Sequence, residues 1–129
     1  MIQDTSFIIE LLDGNKAAIN KLKNLKGEPE KISSVTVLEL HEGVARSSKP
    51  EKERKQVLNV LNSKNIIQAD RKVMKKAGEI SGNLANKGER IDREDCIIAA
   101  TALLEQDPVV TTNTKHFERI ENLEIEPIK

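Results

Sequence analysis

The chain has 129 residues, 37% apolar and 33% charged, with a formal net charge of zero. That length closes one hydrophobic core without staples; the neutral balance argues against tight, extended nucleic-acid binding but leaves room for a local basic rim. Phe7 and Phe117 are the only aromatics and Cys96 the only cysteine, which rules out an internal disulfide or a cysteine zinc cluster and argues against an RNA surface of stacked bases.

In chain order, Met1 to Asp4 is a short strand candidate. Phe7, Ile8, Leu11 and Leu12 follow at helical spacing and stop at Asp13-Gly14. Ile19, Leu22 and Leu25 mark a second helix ending at Gly27. The β-branched run Ile32 to Val37 predicts a strand, and Leu38 to Arg46 a helix. Ser47-Ser48-Lys49-Pro50 breaks the chain, and Pro50 suits the first turn of a helix carrying Val57, Leu58, Val60 and Leu61. Asn65 to Ala69 predicts a third strand. Asp70 caps a helix with Val73, Ala77, Ile80 and Leu84 on one face, closed by Gly88. From Asp92 or Arg93 a helix runs to Leu104, apolar almost all round and so expected to be buried, with Asp107-Pro108 ending it. Val109 to Thr112 predicts a strand, His116-Phe117 a helical turn, and Leu123 to Ile128 a last strand.

Strands alternating with helices predict an α/β fold, a three-layer α/β/α domain with a central parallel sheet of about five strands, spanning residues 1–129 as one domain. In such sheets functional groups gather beyond the carboxyl ends of the strands, where strand order reverses. Asp4 and Asn113 each follow a strand, so they meet at that crevice if the two strands are central neighbours. No apolar run reaches membrane-spanning length, and Met1-Ile2-Gln3-Asp4 has no signal-peptide pattern, so a reducing, cytoplasmic setting is expected.

Three separated acids stand out. Asp4 is either the cap of the next helix or a site residue, and the two roles are compatible. Glu39 lies between Leu38 and Leu40, a carboxylate in apolar company; its competing reading is a solvated helix face, for which Glu42 is the better candidate. Asp95 follows Asp92 and Glu94 at a helix start. The helix dipole accounts for one or two of these acids, with Asp92 as cap or outer acid. Asp95, at the mouth of a buried helix, needs a partner. Asn113 is either a turn former or a neutral oxygen toward a hard cation. His41 and His116 have no partner at ligand spacing and read as surface or packing residues. A hard divalent cation takes a few carboxylates plus water, and Mg²⁺ so held activates water for attack on a phosphodiester.

Four stretches carry a family likeness: Asp4-Thr5-Ser6, Glu39-Leu40-His41-Glu42-Gly43, Asp95-Cys96-Ile97-Ile98-Ala99-Ala100-Thr101-Ala102, and Val110-Thr111-Thr112-Asn113 continuing to His116-Phe117. In order and spacing the whole chain resembles the PIN domain, and within it the VapC-type toxins of prokaryotic toxin–antitoxin pairs. The resemblance implies that Asp4, Glu39 and Asp95 form the family's acidic cluster, with Asn113 at a fourth position that is often Asp. His116 stands where relatives often have another acid. It further implies Mg²⁺ or Mn²⁺, a homodimer, cleavage of single-stranded RNA, and a VapB-type antitoxin whose tail covers the site.

The reading is thus a metal-dependent endoribonuclease. Asp4, Glu39 and Asp95 hold the metal, Asn113 orients water or phosphate, Ser6 bonds a ligand or the substrate, and Arg46 or Arg93 holds the RNA backbone. One alternative is a catalytically weak PIN-like binding or regulatory module, for which the neutral Asn113 speaks. A haloacid-dehalogenase-type phosphatase needs an acid where Ser6 stands. A receiver domain needs an acidic pair after the first strand.

Overall fold

The computed structural model describes residues 1–128. Five parallel strands lie in the order β3-β2-β1-β4-β5. They are β1 (Ile2–Gln3), β2 (Lys31–Ser33), β3 (Asn65–Ile67), β4 (Val109–Thr111) and β5 (Ile125–Pro127). Between them run α1 (Thr5–Leu12), α2 (Lys16–Asn24), α3 (Ser34–Arg46), α4 (Pro50–Asn62), α5 (Arg71–Asn86), α6 (Arg93–Glu105) and the short α7 (Thr114–Phe117). The chain builds outward from β1 to β3, then crosses to the other side of β1 to place β4. The reversal point predicted to hold the site therefore lies between β1 and β4, with Ile2 opposite Val109 and Gln3 opposite Val110.

The pleat sorts the core into two halves. Ile2 and Val109 face the side covered by α5 and α6, in a cluster with Val73, Ala77, Leu84, Ile98 and Phe117. Met1 and Val110 face the side of α1 and α2, with Phe7 and Ala18. Ile32 packs there too, with Leu40 and Val44 of α3 and Val57 and Leu61 of α4. Helix α6 is buried along Cys96 and Ile98 to Ala102, as its apolar sequence predicts. Phe7 and Phe117 are both fully buried, so neither offers a face to a base. No helix among the described residues is long and apolar enough to cross a membrane.

The expected strand Ile32 to Val37 ends at Ser33 instead. Ser33 is extended, and its Oγ accepts from the Val35 amide at 3.1 Å, which starts α3 four residues earlier than predicted. β-Branched side chains crowd the turn before them in a helix; Val35 and Thr36 sit in the first turn and meet no such turn. Burial of Thr36, Leu40 and Val44 on one face then outweighs β propensity. The other strands are likewise shorter than the apolar runs that announced them, at Asn65–Ile67, Val109–Thr111 and Ile125–Pro127, and the last helical turn begins at Thr114, not His116. Helix α6 stops because Gln106 turns left-handed at φ 58°, ahead of Pro108.

Candidate active site

Asp4 leaves β1 and caps α1, so its cap and site readings coexist. Its Oδ1 accepts the Phe7 amide at 2.9 Å. The Ser6 hydroxyl donates to both carboxylate oxygens, at 2.8 and 3.0 Å, and the Thr111 hydroxyl donates to Oδ2. With 1% exposure, the carboxylate is buried under donors. Burial pushes its pKa up to about 6 against the pull of the Thr111, Phe7 and Ser6 hydrogen bonds, and the charge on Asp95 adds to the rise.

Glu39 comes from α3, half-buried, with Oε1 held at 2.5 Å by the Thr5 hydroxyl, which also lies 3.1 Å from the Thr36 hydroxyl. Burial raises its pKa, and the charges of Asp95, Glu94 and Asp4 raise it further. Leu38 beside it is exposed and Leu40 buried, so Glu39 sits on the boundary of the core; Glu42 is solvated and pairs with Arg46 at 3.7 Å.

Asp95 lies in the first turn of α6. Asp92 takes the cap position without a side-chain cap bond. Burial raises the Asp95 pKa, a hydrogen bond from His116 opposes this, and Asp92 and Glu94 repel its charge. The contact is His116 Nδ1 to Asp95 Oδ2, 3.2 Å.

Strands β1 and β4 are central neighbours, but Asn113 does not reach Asp4. The residue that does is Thr111. Asn113 is exposed at the start of α7; its backbone amide donates to the Thr111 hydroxyl at 2.8 Å, and its side-chain Nδ2 lies 3.2 Å from His116 Nδ1. Ser6 serves Asp4 and accepts the Thr112 amide at 3.2 Å. His116, expected at the surface or in packing, instead holds Asp95; His41 is exposed. Thr5, Thr111 and His116 are the functional residues that sequence reasoning missed. Only His116 had a signal, its place three residues after Asn113 at a strand end. Arg46 shares a cleft with Thr5, Ile9, Leu38, Glu39 and Glu94, whereas Arg93 lines a depression between α5 and α6.

The acids thus form three small hydrogen-bonded groups around one crevice, near enough for each charge to disturb another. Among the described residues no three His, Cys, Asp or Glu side chains stand close enough to enclose an ion. That fits Mg²⁺ or Mn²⁺ better than a structural zinc. Mg²⁺ takes one or two carboxylates, keeps several waters and completes its shell with phosphate. Buried, mutually repelling carboxylates flanked by hydroxyls are a donor set of that kind.

A family model for the PIN domain matches residues 1–123. Ribonuclease VapC2 of Rickettsia felis is 37% identical over 95 residues, 74% of this chain and 71% of that protein. The tRNA(fMet)-specific endonuclease VapC of Shigella flexneri is 29% identical over 95% of this chain and 93% of its own. Among solved structures, VapBC2 from Rickettsia felis, bound to a DNA fragment from their promoter, superposes with a TM-score of 0.91 at 31% identity, covering 99% of this chain and 98% of that one.

Proposed function

The chain belongs to the PIN-domain family, and from that premise we propose that it is a metal-dependent endoribonuclease, the toxin of a VapBC-type pair, hydrolysing internal phosphodiester bonds of single-stranded or structured RNA. The observation that carries this reading is Asp4: a buried carboxylate at the strand-order reversal, its pKa raised to about 6, with Glu39 and Asp95 repelling it from two other elements. A protein keeps buried like charges together at a cost to stability, and a bound cation offsets that cost.

Asp4, Glu39 and Asp95 would hold Mg²⁺ or Mn²⁺, directly or through water, with Asn113 as a neutral oxygen beside them. Such an ion lowers the pKa of water and neutralises charge developing on the phosphate. The chain's own residues do the rest. Thr5 orients Glu39, and Ser6 and Thr111 fix Asp4. Arg46, at the rim of the Glu39 cleft, is placed to meet an RNA phosphate.

The partners follow from the same reading. Structural relatives with their antitoxins support a VapB-type partner for this chain. A homodimer is proposed with it, supported by the apolar depression of Met74, Ala77, Gly78 and Ile97 between α5 and α6. The setting is the cytoplasm, where RNA is within reach.

The test is RNA cleavage by purified, antitoxin-free protein with Mg²⁺ or Mn²⁺, against a chelator control and the Asp4→Asn variant. Internal cleavage that needs the ion, and falls at least about 100-fold in folded Asp4→Asn, is the expected result. Folded wild-type protein that binds RNA without cutting it under either ion would overturn the enzyme and leave the binding module.

A further inference from the structure

His116 has a bonding problem that its surroundings do not solve. Its Nδ1 lies 3.2 Å from Asp95 Oδ2 and 3.2 Å from the Asn113 side-chain amide. One ring nitrogen carries either a hydrogen or a lone pair. It cannot donate to the carboxylate and accept from the amide NH₂ at once. With the amide turned to present Oδ1, two oxygens compete for one hydrogen. In both arrangements one contact is left unmade, and in the second three lone-pair donors crowd a single proton. A cation in place of that proton satisfies all three together.

The spacing suits this. Neighbouring ligands of an octahedral ion with bonds of about 2.1 Å lie about 3.0 Å apart, close to the 3.2 Å between Asp95 Oδ2 and His116 Nδ1. His116 is half-buried on the crevice side, with 35% of its side chain exposed, so an ion and its waters reach it.

We propose that His116 is a nitrogen ligand of the divalent ion, completing a set with Asp95 and Asn113, and that it tilts the site toward Mn²⁺ over Mg²⁺. The inference rests on the metal-site reading above and deepens it. Carboxylate and carbonyl oxygens serve Mg²⁺ and Mn²⁺ alike, but imidazole suits first-row transition ions and adds little for Mg²⁺. His41, the other histidine, is exposed on α3 and supplies no such donor.

The experiment uses the full chain and Mn²⁺ alone, without RNA. Pulsed electron paramagnetic resonance of the bound Mn²⁺ reads nitrogen coupling from an imidazole. Calorimetry gives Mn²⁺ and Mg²⁺ affinities for wild type, His116→Gln and His116→Asp, with folding checked by circular dichroism. Nitrogen coupling is expected in wild type and absent in both variants. His116→Gln should lower Mn²⁺ affinity about tenfold or more and change Mg²⁺ affinity much less. His116→Asp should keep ion binding while shifting the preference toward Mg²⁺. Wild type that binds Mn²⁺ without nitrogen coupling, or coupling that survives in folded His116→Gln, would overturn the assignment and leave the carboxylate site standing. Folded wild type that binds neither ion would overturn the metal site itself, and this inference with it.

Discussion

The hydroxyl of Thr111 donates to Asp4 Oδ2 across 107 residues of sequence. Register explains the meeting: Ile2 lies opposite Val109 and Gln3 opposite Val110, so one more step sets Asp4 beside Thr111. Thr111 gives the largest hydrogen-bond pull on a pKa that burial has raised to about 6. Thr111→Val keeps the shape and removes the donor. It should cost about 1.5–3 kcal/mol at neutral pH, the usual range for a bond to a charged group. The acid limb of the cleavage pH profile should move to higher pH, while Thr111→Ser leaves it in place. An unmoved limb in Thr111→Val would separate Asp4 ionisation from activity.

The pH dependence of stability follows from the same carboxylate. Its ordinary value is 3.8, and the folded value is about 6. Between the two, the native state holds a proton that the unfolded chain has released. Protonation therefore stabilises the fold at low pH, and that contribution is lost as pH rises through about 6. A shift of roughly two pH units corresponds to about 3 kcal/mol. Glu30 and Asp107 have lowered values and act in the opposite sense, so Asp4 must be isolated by difference. In ion-free urea unfolding, Asp4→Asn should gain on wild type as pH rises from about 5 to about 7.5, becoming the more stable protein by about 1–3 kcal/mol. A difference independent of pH would mean that Asp4 is not strained by burial.

Thr5 is a positioning residue. Its hydroxyl holds Glu39 Oε1 at 2.5 Å and also lies against Thr36. Thr5→Val frees the carboxylate to rotate without emptying space. Stability should change by about 1 kcal/mol or less, and RNA cleavage should fall about tenfold through misplacement of Glu39. Thr5→Ser should restore it. Loss of stability in step with loss of cleavage would indicate a structural role only.

Asp4 was legible because an acid directly after an apolar run is conspicuous, and Asp95 because it opens a helix with no polar face. The alternation of apolar runs also exposed the sheet. The Ser33 cap was not legible, since Val35, Thr36 and Val37 favour strands and only tertiary burial of Thr36 reverses that preference. Thr111 was passed over for Asn113 because the choice depends on a register between strands that sequence does not print. His116 has no histidine or cysteine partner in sequence; its contact with Asp95 exists only once α7 folds against the start of α6.

Asp95 and Asn113 flank the same imidazole, one charged and one neutral, so substitutions at the two act in opposite directions on cation affinity. Asp95→Asn removes one negative charge from the crevice. Asn tolerates a helix start about as well as Asp, and the change relieves a carboxylate raised by burial, so the fold should hold. Ion affinity should drop about tenfold or more, and cleavage with it. Asn113→Asp adds a charge at an exposed position and should keep or strengthen ion binding. Cleavage need not rise, because a more heavily neutralised ion polarises water less. Calorimetry with Mn²⁺ reads the first effect and RNA cleavage the second. Undiminished cleavage by folded Asp95→Asn would place the active site elsewhere. Weaker binding by Asn113→Asp would mean that this side chain faces away from the ion.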